Sequence, residues 1–181
     1  MSDIIFTKIR DVKSPSRAYG ETESLAAGTD FFIPEYNSEF YSDLVKKNPN
    51  KSDYTLAVSP KLDSLSIVIE PGGRINIPSG IKVCIEDKNT CLLAVNKSGI
   101  ASKKGLTTGA CLVDSDYRGE IHINLLNVSN EPVTINTGDK IIQFMNLPVF
   151  YPSWNEVTNT DYDNLASKTD RGSGGFGSSG A

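Results

Sequence analysis

From residue 64 to residue 145 the chain is a train of short apolar segments cut by Pro, Gly and Asn. Ser64-Leu65-Ser66-Ile67-Val68-Ile69 alternates and is broken by Pro71-Gly72-Gly73. Arg74-Ile75-Asn76-Ile77 alternates again, stops at Pro78-Ser79-Gly80, and Ile81-Lys82-Val83-Cys84-Ile85 resumes the period. A period of two sends successive side chains to opposite faces, so these segments read as half-buried strands. Cys91-Leu92-Leu93-Ala94-Val95 is more continuously apolar, as a strand covered on both faces would be. Ile121-His122-Ile123-Asn124-Leu125, Val133-Thr134-Ile135 and Lys140-Ile141-Ile142-Gln143-Phe144-Met145 close the series. Many short strands at near-regular spacing predict an all-β, jelly-roll-like distorted barrel. One or two short helices are expected, from Ser38 through Lys47 and from Ser98 through Lys104, each opened by a serine suited to capping.

Composition narrows the function. A length of 181 residues suits one domain. The net charge of −4 and a pI near 5.0 argue against a sequence-independent nucleic-acid binder. Hydrophobic residues at 38% suffice for a core, which argues against disorder. No apolar run approaches the ~18–20 residues needed to span a bilayer. The N-terminal residues lack a basic region leading into an apolar one, so no cleaved leader is expected. Cys84, Cys91 and Cys111 form no CxxC and leave an odd thiol under any pairing. Reduced cysteines and a cytoplasmic setting, the host's if the chain is viral or phage-encoded, are the simplest expectation. His122 is the sole histidine, which excludes sites needing two.

Two segments break the strand rhythm. Residues 36–63 are polar, carry Lys46-Lys47-Asn48-Pro49-Asn50-Lys51, and read as an insertion forming a surface excursion from a β domain spanning residues 1–152. Residues 153–181 read as a flexible C-terminal arm without strand pattern. Five of the chain's 15 glycines fall within its last eleven residues, too many for a fixed fold alone.

Three stretches carry chemistry. In the tail, consecutive glycine amides can wrap a phosphate, Arg171 can pair with one, and Phe176 offers a ring to stack on a base. Composition leaves an inert linker equally open. Around Lys97, Ser98 and Gly99 a strand gives way to a helix start, which favours an anion, although a plain capped helix is the commoner meaning of such a segment. Residues 107–124 read as a β-hairpin. With the turn centred between Asp116 and Tyr117, paired residue numbers sum to 233, which sets Cys111 opposite His122 and Asp114 opposite Gly119. Asp114 then lies at the inner edge of an apolar arm, where a carboxylate can hold a water; an ordinary turn residue is the alternative. His122 receives no acid–base role.

Five segments, in order, resemble the motifs of the trimeric dUTPases (deoxyuridine triphosphate nucleotidohydrolases). Ala26-Ala27-Gly28-Thr29-Asp30-Phe31 resembles the first and Lys97-Ser98-Gly99-Ile100-Ala101 the second. Residues 109–119, with Asp114, Asp116, Tyr117 and Gly119, resemble the third. Gly138-Asp139-Lys140-Ile141-Ile142-Gln143 resembles the fourth, and residues 171–180 the fifth. The resemblance implies a homotrimer with sites at subunit interfaces, Mg²⁺, and cleavage of dUTP to dUMP and pyrophosphate. It implies Asp114 as the base that activates water and Tyr117 as the ring that excludes a 2′-OH. Uracil is implied to enter the hairpin and be read by backbone groups of Cys111 and His122, with Thr108, Gly109 and Ala110 near the mouth. Lys97, Ser98, Gly99 and Gln143 fall at phosphate-contacting positions, and Asp30 at the acidic position near the metal, acting through water. The resemblance further implies that Arg171 reaches the γ-phosphate and Phe176 stacks on uracil, with Gly177, Ser178 and Ser179 completing a closing lid.

The chain departs from the pattern at Lys97, where the family has Arg; lysine keeps the charge and loses the planar fork. Cys111 replaces a residue that is often Gly. The 36–63 segment is not standard and is the candidate surface for an unidentified protein partner. Two other functions remain to be distinguished: a dCTP deaminase on the same fold, and a regulatory binding protein.

Overall fold

The computed structural model describes residues 3–18, 25–59, 61, 63–166, 169, 172 and 174. In chain order the strands are β1 (Ile4–Lys8), β2 (Ser16–Arg17), β3 (Thr29–Phe32), β4 (Tyr54–Ser59), β5 (Ser64–Ile69) and β6 (Arg74–Ile85). They continue with β7 (Thr90–Asn96), β8 (Leu106–Thr108), β9 (Leu112–Val113), β10 (Glu120–Asn127), β11 (Val133–Asn136) and β12 (Lys140–Pro148). Helices are α1 (Ser38–Lys47), α2 (Ser98–Lys104) and α3 (Asn159–Ala166). The strands form three sheets, ordered β1-β6-β10-β8, β11-β5-β4 and β2-β3-β12-β7-β9. The fold is the expected all-β jelly roll. No helix among the described residues is long and apolar enough to cross a membrane.

The alternation seen in the sequence fills the interior. Leu65, Ile67 and Ile69 of β5, Ile75 and Ile77 of β6, and Ile121, Ile123 and Leu125 of β10 are buried in one cluster with Ile135 and Phe144. Asn127 ends the inward face of β10 and is fully buried. Its amide donates to the carbonyls of Ile69 and Glu131 at 2.9 and 2.8 Å, and its Oδ1 accepts from Ser129. All its polar capacity is used, so burial carries no unpaired-group penalty.

Residues 36–63 are part of the core, which corrects the expected surface excursion. Phe40 and Leu44 of α1 are fully buried and Tyr54 is 5% exposed, and β4 pairs antiparallel with β5 along its length. Phe40 and Leu44 stand four apart, so one face of α1 carries both. The helix span is as expected, but its cap is Asn37, whose Oδ1 accepts from Phe40 N–H at 2.7 Å. Past the helix end, Asn48 stitches the segment to β6: Nδ2 donates to the Asn76 carbonyl at 2.8 Å and Oδ1 accepts the Asn76 N–H at 2.7 Å. Asn48→Ala strips both partners from Asn76. The expected loss is about 2 kcal/mol, on the scale of a buried group left unpaired. Thermal unfolding checks this; at ~2–4 °C per kcal/mol for a chain of this size, Tm falls by roughly 4–8 °C.

The chain divides into two compact units, Met1–Val149 and Phe150–Ala181. The second contains α3, a third helix where one or two were expected in all and none in this stretch. Thr158 caps it: its Oγ1 accepts from Asp161 N–H at 3.2 Å and donates to Asp161 Oδ2 at 2.7 Å. The four-residue Thr158-x-x-Asp161 spacing is a capping-box pattern with Asp in place of Glu.

Candidate active site

The hairpin keeps its expected register only at the mouth. Thr108, Thr107 and Leu106 pair with Leu125, Leu126 and Asn127, and Gly109 N–H reaches the Asn124 carbonyl at 3.1 Å. Each pair sums to 233, as read from the sequence. Beyond Gly109 the arms separate. Leu112 and Val113 leave β10 and pair with Leu93 and Leu92 of β7, and the Cys111 carbonyl accepts from Ala94 N–H at 2.7 Å. On its other edge β10 stays paired with β6, where His122 lies opposite Pro78. The predicted pairing of Cys111 with His122, and of Asp114 with Gly119, is therefore absent, and the space between the arms is a pocket. It has a volume of about 170 Å³ and is lined by Ala110, Cys111, Asp114, Tyr117, His122 and Phe144 among others. A larger cleft of about 620 Å³ lies along Ile4, Phe6, Phe31, Val83, Leu92 and the same Phe144.

At the pocket edge, Asp114 and Tyr117 close a turn through Tyr117 N–H to the Asp114 carbonyl at 3.1 Å. Arg118 Nη1 ties the turn from outside by donating to the carbonyls of Ser115 and Tyr117. The Tyr117 ring folds back over Gly119, where any Cβ would come within 2.3 Å of the phenol oxygen. Its hydroxyl donates to the Glu120 carbonyl at 2.9 Å, which fixes the ring. Cys91 follows Asp114 in the β7–β9 register. Burial pushes its thiol above the usual range, and the nearby Asp114 charge adds to that. The three cysteines are free.

A second cluster sits where β3, β7 and β12 meet. Asp30 is 1% exposed. Lys97 Nζ hydrogen-bonds its Oδ1, and Lys140 Nζ stands 3.1 Å from Oδ2. Gln143, paired with Asp30 across the strands, donates from Nε2 to the Asn96 carbonyl at 3.0 Å. Gly28 allows this approach, since a Cβ there would meet Gln143 Oε1 at 2.3 Å. Ser98 and Gly99 open α2 with Lys97 as N-cap residue; no side chain caps the helix, so the expected Ser98 cap is not made. Asn96 joins this end of β7 to the hairpin mouth by accepting Thr108 N–H at 2.8 Å and donating to Thr107 Oγ1 at 2.9 Å.

The structure thus brings Ala110, Cys111, Asp114, Tyr117 and His122 together at one place, and Asp30, Lys97, Ser98, Gly99 and Gln143 at another. Asp114 is level with one end of β7 and Lys97 follows the other. Six residues at ~3.3 Å each put them about 20 Å apart. Arg171, Phe176, Gly177, Ser178 and Ser179 lie outside the described residues. Sequence reasoning passed over Arg10, Asn96, Lys140 and Glu120; of these Lys140 lies inside the fourth motif and Glu120 inside the 107–124 hairpin segment, and each carries a charge that marks it.

A jelly-roll subunit with a ring-sized pocket, a carboxylate at its edge and a separate lysine-lined cluster is the class that fold and site define. The dUTPase family model matches residues 62–180. The deoxyuridine 5'-triphosphate nucleotidohydrolase of Actinobacillus pleuropneumoniae serotype 3 is 34% identical over 155 residues, covering 84% of this chain and 90% of that protein. The Haemophilus ducreyi protein of the same name is 40% identical over 117 residues, covering 64% of this chain and 73% of its own. Among solved structures, a mutant dUTPase of Staphylococcus bacteriophage 80alpha with dUpNHpp superposes over 100% of both chains with a TM-score of 0.68 and 20% identity. A mutant dUTPase of the S. aureus phage phi11, described with a structural Mg(II) ion, has a TM-score of 0.59 and 19% identity over 86% of this chain and 96% of that one. The chain belongs to the dUTPase family.

Proposed function

We propose that this protein hydrolyses dUTP to dUMP and pyrophosphate. The carrying observation is the splayed hairpin: a ring-sized pocket lined by Asp114 and by a Tyr117 ring that its hydroxyl holds in place. Uracil occupies the pocket and is read by backbone groups near Ala110, Cys111 and His122. Tyr117 packs on the deoxyribose and leaves no room for a 2′-OH. Asp114 accepts the proton of the attacking water, a role that typically contributes ~10²–10⁴-fold. Lys97, Ser98, Gly99 and Gln143 hold the phosphates, since phosphoryl transfer rests mostly on positioning and charge neutralisation. Arg171, Phe176, Gly177, Ser178 and Ser179 close over the nucleotide.

Asp30 does not suit a direct metal ligand, because two ammonium groups already engage it. Among the described residues no three His, Cys, Asp or Glu side chains converge on a metal position. The arrangement fits Mg²⁺ that arrives on the triphosphate, an ion that keeps waters and needs few protein carboxylates. When bound, it neutralises phosphate charge.

The site is completed by other copies in a homotrimer. The separation of Asp114 from Lys97 along β7 supports this, as does the edge strand β1, where Ile5 and Phe6 are 55% and 42% exposed.

The test is pyrophosphate release from dUTP, dCTP, dTTP and UTP, with product analysis. Release from dUTP alone is expected. Ammonia from dCTP would replace the reading by a deaminase, and no turnover of any would leave a binding protein. Tyr117→Ala is expected to erode the preference for dUTP over UTP by at least tenfold, measured as the ratio of kcat/KM values, because a steric wall worth ~1.4 kcal/mol or more is removed.

A further inference from the structure

Glu120 stands where three parts of the fold meet. β6 and β10 change register beside it: Glu120 lies opposite Lys82, yet His122 lies opposite Pro78. Such a shift is a bulge, a place where a strand is bent and a side chain re-aimed. The Gly80 N–H in that bulge donates to Glu120 Oε1 at 2.7 Å, while the Gly80 carbonyl accepts from Ile9 N–H at 2.8 Å. Arg10 fills the space behind. Its Nε donates to Glu120 Oε1 at 3.0 Å, and its Nη2 to Glu120 Oε2 at 3.2 Å and to Asp43 Oδ2 of α1 at 2.5 Å. The Arg10 and Glu120 side chains are 6% and 12% exposed. Glu120, reinforced by Asp43, outweighs burial and holds the guanidinium pKa above its usual value.

The carbonyl of Glu120 holds two residues that line the pocket. Its carbonyl accepts Tyr117 OH at 2.9 Å and the Nδ1–H of His122 at 2.9 Å. One residue therefore binds the bulge directly and α1 by way of Arg10 through its side chain, and the pocket turn through its carbonyl. A buried ion pair is a weak source of net stability, since desolvation offsets the attraction. What it supplies here is a fixed place for the carbonyl on which the Tyr117 ring is hung.

We propose that Glu120 is a positioning residue for the Tyr117 turn, and that Arg10 makes Asp43 of α1 part of the same support. Sugar discrimination then depends on residues 36–63, which lie outside the pocket. The proposal rests on the reading of Tyr117 as the wall against a 2′-OH.

The experiment uses the full chain with Asp43→Asn, Glu120→Gln and, on the same helix, the exposed Lys46→Gln. Two quantities are read: amide hydrogen exchange over residues 116–119, and the dUTP-to-UTP ratio of kcat/KM. Asp43→Asn is expected to speed exchange and lower the ratio by about five- to tenfold, the low end of measured couplings between sites. Glu120→Gln is expected to do more, and Lys46→Gln to change neither. Paired with Tyr117→Phe, which removes the hydroxyl that meets Glu120, the Asp43→Asn effect on the ratio should shrink. Wild-type exchange and wild-type ratio in both Asp43→Asn and Glu120→Gln would overturn the proposal, even with a lowered melting temperature. Should Glu120→Gln not fold, Asp43→Asn decides, its side chain being 39% exposed. A wild-type chain inactive on dUTP would refute the hydrolase reading, and exchange alone would then decide the positioning role.

Discussion

Replacing Asp114 with asparagine is expected to cut dUTP turnover by ~10²-fold or more while nucleotide binding and folding persist. The loss is that of a general base. The amide has the shape of the carboxylate and cannot accept the proton. Nothing in the local structure depends on the charge: Asp114 is exposed, and its turn is closed by its carbonyl rather than its side chain. Steady-state turnover, with dUMP affinity and Tm as controls, checks this. Near-normal turnover would remove Asp114 from the chemistry.

Deleting residues 171–181 is expected to lower turnover by about 10²-fold while assembly and thermal stability hold. On the proposed reading Arg171, Ser178 and Ser179 would supply phosphate donors, and Phe176 a face for the base. Positioning on this scale is within what a closing lid contributes. The arm must reach its site. Eighteen extended residues from 153 to 170 would span up to ~60 Å at ~3.3 Å each, but α3 shortens this to roughly 45 Å, since its eight residues rise ~1.5 Å apiece. That still exceeds the ~20 Å between the two ends of β7. Turnover, sedimentation and Tm on the truncated chain decide. Unchanged turnover makes the segment a linker, and loss of assembly makes it structural.

Much of this was legible in the chain because period-two alternation reports burial directly. β5, β6, β10 and β12 appear where Ile and Leu alternate with polar residues. The spans of α1 and α2 were legible too, but not their caps, which depend on backbone geometry: Asn37 and Lys97 hold the N-cap positions, not Ser38 and Ser98. Residues 36–63 were misjudged because lysines and asparagines outnumber the two side chains, Phe40 and Leu44, that matter most. The hairpin register was right at Thr108 and wrong at Cys111. A two-strand count cannot see that β7 offers Leu112 and Val113 a better partner. Arg10 and Glu120 are 110 positions apart, and no local pattern links them.

The distance along β7 has a genetic consequence. If the base of one copy serves the lysine cluster of another, two defective chains can repair each other. A chain with Asp114→Asn and one with Lys97→Ala would each be inactive alone. Unfolded and refolded together, equal amounts would assort at random, and about a quarter of the sites would pair an intact Asp114 with an intact Lys97. Complementation between two inactive alleles, absent when the preparations are mixed without exchange of chains, would be the signature of a site that no single chain owns.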